Sequence, residues 1–141
     1  MDHVTMTTEK MDELLRFLPV FEDPDRVYVK GWGGGEPTGD GAITVPYPIY
    51  CDDVLEFFTL AGQHHWSDFE YQPREAGAML SDDALIATAS LDEIRTMLTY
   101  CVRGERFGDG HWAYMLESGR ILALLRRLAA LRDEITRSAR P

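Results

Sequence analysis

Cysteine is nearly absent from the chain, with Cys51 and Cys101 the only two in 141 residues. Lying fifty positions apart, they offer neither the paired thiols of a zinc site nor the density of a disulfide-stapled secreted fold, so both are expected as reduced, buried thiols. Lysine is as scarce, Lys10 and Lys30 standing against twelve arginines. Long apolar runs are missing too: stretches such as Ile121 to Leu125 fall far short of the roughly 20 residues that span a bilayer. The first nine residues place acid before base and contain no apolar region of the secretory type, which leaves the cytoplasm as the expected compartment and excludes a membrane partner.

Positive charge is in deficit. A net charge of −10 repels phosphate backbones, so general nucleic-acid binding is disfavoured. The imbalance is uneven: residues 1–100 hold six Lys/Arg against nineteen Asp/Glu, whereas residues 101–141 hold eight Arg against five acids. With 45% hydrophobic content the chain suffices for one core, and a single domain over 1–141 is expected, flexible at 1–7 and 138–141.

What is present reads as an α+β, mainly α fold of about five helices with a small β-hairpin near residues 26–46. Thr8 opens a helix in which Met11, Leu14, Leu15 and Leu18 recur at helical spacing, ending at Phe17 or Phe21 near Pro19. Arg26 to Lys30 alternates like a strand, and Ala42 to Val45 is its expected partner across a loop with six glycines in eleven residues. Asp53 with Glu56 has capping-box spacing for a second helix reaching about His64, and a short helix is expected near Arg74 to Leu80. Ser90 and Glu93 form a clearer box, followed by Leu91, Ile94, Leu98 and Cys101 on one face until Gly104. Asp109 can cap the next helix, and Gly119 either ends it or lets another backbone approach closely. In the last helix Ile121, Leu124, Leu128, Leu131 and Ile135 make a stripe that protein must cover. Its own core is the simpler cover; a homodimer seam along residues 120–136 is the alternative. Arg132 falls inside that stripe and needs solvent or a carboxylate.

No catalytic or ligand motif closes. The glycine-rich loop lacks Gly-Lys-Ser/Thr, and Glu36 with Asp40 would repel a phosphate there. Adjacent His64 and His65 point apart, so no metal is expected, and no cofactor is. The one dense charged and aromatic group is Arg103, Arg106, His111, Trp112 and Glu117, around the turn between two helices, with Tyr47 and Trp66 as possible contributors from the first half. The structural reading pairs Arg103 or Arg106 with Glu117. The functional reading makes the arginines an anion fork, Trp112 or Phe107 an aromatic wall, and Glu117 or His111 a general base.

The pattern Arg103-x-x-Arg106-Phe107-x-x-Gly110, then Glu117-x-Gly119-x-Ile121 and Leu125-x-Arg127-Leu128, preceded by Pro46-Tyr47-Pro48, resembles a bacterial domain-of-unknown-function family, the one numbered 6508. The resemblance spans nearly the whole chain and implies a compact, mostly helical bacterial domain. It assigns no activity and carries over no catalytic residue. A non-enzymatic binding or interaction module, homodimeric or serving another protein through exposed aromatics such as Trp32, Trp66 and Trp112, is the favoured expectation. A small enzyme or ligand-binding protein acting on an anionic metabolite through the Arg/His/Glu cluster is the alternative.

Overall fold

The structure, a computed structural model, describes residues 8–106 and 108–138. Of the segments expected to be flexible, 1–7 and 138–141, all but Ser138 lie outside the described residues, as does Phe107, one of the two expected aromatic walls; Ser138 closes the last helix. Among the described residues the order is α1 (Thr8–Leu15), α2 (Leu18–Phe21), β1 (Val29–Gly33), β2 (Tyr47–Tyr50), α3 (Asp52–Ala61), a 3-10 turn (His64–Trp66), α4 (Pro73–Leu80), α5 (Asp83–Ala87), α6 (Leu91–Gly104), α7 (His111–Glu117) and α8 (Arg120–Ser138). The mainly α architecture with one antiparallel hairpin is therefore as the sequence indicates.

The boundaries differ where local chemistry competes. The first helix breaks in two because Pro19 lacks an amide hydrogen and sits in the first turn of a new segment. Asp53 does not cap α3: Cys51 holds that position without a side-chain bond, and the Asp53 carboxylate is taken by Arg26 in a two-bonded ion pair. That hydrogen-bonded guanidinium holds Asp53 below its ordinary carboxylate range. The Asp82 side chain caps the unanticipated α5 through Ala84 and Leu85 amides. The Ser90–Glu93 capping box forms as expected.

The hairpin is the largest departure. β1 begins at Val29 and pairs with Tyr47 to Tyr50, Trp32 opposite Pro48 and Gly33 opposite Tyr47. The segment Ala42 to Val45 does not pair with 26–30. It faces the far end of the arm instead, where Gly35 donates to Thr44 O at 2.8 Å and Thr44 to Glu36 O at 3.0 Å. The Tyr47 ring lies across Gly33, where a Cβ would come within 2.3 Å of it and displace the ring.

α8 is the spine. Ile121, Leu124, Leu125 and Leu128 are buried, and the helix packs on α1, α2, α5, α6 and α7. Each such side chain contributes roughly 1.5–3 kcal/mol on burial. The stripe is thus covered by the chain itself as far as Leu128, while Ile135 stays exposed. Arg132 reaches Asp12 of α1 at 3.2 Å, satisfying the charge that interrupts the stripe. A second aromatic cluster joins Phe17, Phe21, Phe57 and Phe58 in edge-to-face contacts. Cys101 is fully buried, which pushes its thiol up to about 12, whereas Cys51 is only half-buried, against the expectation.

Candidate functional site

The turn from α6 to α7 is organised by a carboxylate, that of Glu105. It accepts from the Tyr50 hydroxyl at 2.9 Å, the Gly110 amide at 3.0 Å and the Trp112 amide at 2.8 Å. The Tyr50 oxygen in turn accepts from the Ala113 amide at 3.3 Å. Open amides at a helix N-terminus need acceptors, and here a residue five positions upstream supplies them. Asp109, the expected cap, is not used; Gly110 occupies the cap position with φ of 94°, a conformation suited to glycine. Burial, then the bond to Glu105, raises the Tyr50 phenol well above its ordinary value.

The expected cluster does not converge. The Trp112 ring stacks on Phe58 at 4.3 Å with planes 5° apart, and its indole N–H donates to Val102 O at 3.0 Å. It is a packing residue, as is Trp66, which is 1% exposed. His111 turns to the other side, edge-on to Tyr100, in a pocket of ≈ 340 Å³ with Tyr71, Pro73 and Gly104. A Cβ on Gly104 would come within 2.1 Å of that imidazole. Burial lowers the His111 pKa, with Glu105 pulling weakly the other way, and its Nε2 is buried with no hydrogen-bond partner among the described residues. Glu117 pairs with neither arginine. It lines a separate pocket beside Phe21, Glu22, Asp23, Arg26 and Tyr28. Tyr47 lies out on the hairpin, half-exposed.

Arg103 and Arg106 do share a pocket, one of ≈ 290 Å³ between the C-terminal ends of α3 and α6, together with His64, Phe69 and Val102. Arg106 also borders an adjoining pocket of ≈ 450 Å³ with Phe58, Thr59, Glu105 and Trp112. The Arg103 guanidinium lies over Tyr71 at 5.1 Å and Phe69 at 5.9 Å. Asp68, next to Phe69 of this pocket in the chain, accepts from the Thr96 hydroxyl and the Glu70 amide.

The hairpin presents a second kind of surface. Of the eleven large hydrophobic residues that are exposed among the described ones, six lie in the arm: Val27, Trp32, Ile43, Val45, Tyr47 and Ile49. Trp32 is 66% exposed and Val45 75%. The sheet ends at β1, whose outer edge has no strand partner among the described residues.

Residues 6–134 match the family described as a family of unknown function (DUF6508). The chain belongs to that family. The match covers the hairpin and the α6–α7 turn alike, so both fall within the DUF6508 region. No curated protein and no solved structure matches the chain. Among the described residues no helix is long and apolar enough to cross a membrane.

Two features of this DUF6508 chain escaped sequence reasoning. Glu105 was hidden because a carboxylate in the last turn before a glycine-rich connection reads as solvated; only its distance to Tyr50, 55 positions away in the chain, shows its use. The arm's apolar exposure had a visible signal in Ile43, Val45, Tyr47 and Ile49, alternating residues with no second apolar segment nearby to cover them.

Proposed function

We propose that this protein is a non-catalytic interaction module that docks through its hairpin arm, and that the occupant of the arm is a second copy of this chain. The observation that carries the reading is the concentration of exposed apolar side chains on a two-stranded sheet with an open edge. Two-stranded sheets are marginal alone in water, and pairing two β1 edges gives a four-stranded sheet. β1 can take a partner because each of its residues keeps an amide hydrogen, whereas Pro46 and Pro48 blunt the β2 side. Charge favours the same surface. Between Val27 and Ile49 only Lys30, Glu36 and Asp40 are charged, so two chains of net −10 repel each other least when they approach arm to arm. The α8 stripe is largely spent inside the fold, which favours the hairpin over residues 120–136 as the self-associating surface.

Catalysis is the weaker reading because the proposed base and the proposed anion fork face different pockets: His111 one, Glu117 another, and the two arginines a third. Light scattering on the purified chain tests the docking role. The wild type is expected to move from monomer to dimer mass as concentration rises, and Trp32→Glu to stay monomeric with an unchanged melting temperature. A wild type that stays monomeric throughout would overturn the reading, and so would a Trp32→Glu chain that dimerises equally well.

A further inference from the structure

We propose that the pocket between the C-terminal ends of α3 and α6 binds a small organic oxyanion, a phosphate ester or carboxylate carried on a flat apolar group, with Arg103 and Arg106 as its ligands. This site is independent of the hairpin.

Seven of the nine other described arginines spend their guanidinium groups on protein partners, the exposed Arg74 and Arg137 being the exceptions. Arg16 pairs with Glu56, Arg26 with Asp53, Arg126 with Glu22 and Arg132 with Asp12, while Arg120 and Arg127 donate to the Leu80 and Ala89 carbonyls. The guanidinium groups of Arg103 and Arg106 make no hydrogen bond or ion pair with any described residue. In a chain with 24 acidic residues, a pocket that collects two such arginines and is lined by no carboxylate is an uncommon arrangement. Of the carboxylates next to the pocket's lining residues in the chain, Asp68 accepts from the Thr96 hydroxyl and the Glu70 amide, and Glu105 from three donors across the α6–α7 turn, while Asp109, three positions after Arg106, does not line the pocket. The partial negative charge at the end of α6 accounts for a basic residue in its last turn, but not for an acid-free pocket around two.

The geometry also selects the ligand. Arg103 lies over the Tyr71 and Phe69 rings, which fixes the guanidinium by its face and leaves its N–H edges for a planar, two-oxygen acceptor. Three residues on, in the turn that follows α6, Arg106 lines the same pocket. Phe69 is 63% exposed and touches the His64 ring at 5.3 Å, giving a flat apolar wall beside the charge. A pocket of ≈ 290 Å³ limits the guest to a small molecule. Hydroxyl ligation is not available: Ser67 Oγ donates to Gln63 O, and Thr99 Oγ1 donates to Arg95 O while accepting from the Asp68 amide.

Calorimetric titration of the full chain with phenyl phosphate, benzoate, inorganic phosphate and benzyl alcohol tests the site, the first two arms separating a phosphate from a carboxylate preference. Phenyl phosphate or benzoate is expected to bind and benzyl alcohol not to. Arg103→Gln and Arg106→Gln should each weaken binding at least about tenfold, the loss of one charge-assisted bond pair. Phe69→Ala should bring the aromatic probe down to the level of inorganic phosphate. Absence of binding by every oxyanion at millimolar concentration overturns the proposal, as does undiminished binding by the Arg103→Gln/Arg106→Gln double variant. Should that variant fail to fold, amide shift mapping on the wild type decides: perturbations centred on Gly62, Val102 and Arg103 support the site, and perturbations confined elsewhere refute it. Trp32→Glu is expected to bind the probe like wild type, so loss of dimerisation and loss of this site are read separately.

Discussion

At the scale of single residues, Glu105 holds more of the structure together than any residue the sequence marked for function. Its carboxylate joins β2 through Tyr50 to the start of α7 through Gly110 and Trp112. Hydrogen bonds to a charged acceptor contribute about 1.5–3 kcal/mol each when their loss strands a donor, so Glu105→Ala should lower unfolding free energy by about 2–4 kcal/mol, allowing for partial hydration. Urea denaturation measures it; a loss within about 0.5 kcal/mol, typical of an inert surface position, would remove Glu105 from that role. The candidate cluster was legible only in part for a related reason. Arg103 lies in the last turn of α6 and Arg106 in the turn that follows it, so their short separation along the chain keeps them together, and they do share a pocket. His111, Trp112 and Glu117 lie beyond a glycine turn whose direction depends on Glu105 and on the φ of Gly110, neither of which spacing can encode. Arg132 was legible because a charge inside an apolar stripe demands a partner, and Asp12 supplies it.

At the scale of elements, the helices with a strong apolar period and a sequence-local cap were readable to within a residue or two. α6 starts at its Ser90–Glu93 box and ends at Gly104 as the pattern indicates, and α8 runs as one continuous helix behind its stripe. Elements whose ends depend on distant groups were not. Asp53 resembles a cap in sequence but is drawn off by Arg26, 27 positions away, and α3 starts without a side-chain cap. The hairpin shows the same competition: the inward placement of Pro48 and Tyr50 against the helices sets the register, and the alternation in Arg26 to Lys30 yields to it. A four-residue α2 behind Pro19 is too short to carry a periodic signal at all.

At the scale of the whole molecule, burial of two imidazoles couples the fold to pH. His65 and His111 are both lowered from the ordinary value of 6.5, chiefly by desolvation. The unfolded chain then binds more protons than the folded one as pH falls through that value, so their contribution is complete above about pH 6.5 and is lost below it. Asp53, held low by Arg26, contributes stability above its ordinary value of 3.8, which disappears only in stronger acid. The melting temperature should therefore be nearly level above about pH 7 and decline toward about pH 5, with His111→Phe reducing the decline. A melting temperature that rises on acidification over that range would contradict the assignment of both rings as neutral in the fold.

The same molecule-scale view sets an acidic, well-filled helical body against a charge-poor apolar arm, and self-pairing along β1 is the claim on which its proposed role depends. Amide hydrogen exchange resolved by residue and repeated over a series of protein concentrations tests that claim most directly. Exchange at the outward-facing amides of Val29 to Gly33 is predicted to slow as concentration rises, while α6 and α8 amides keep constant rates; exchange in β1 that stays equally fast at every concentration would contradict it.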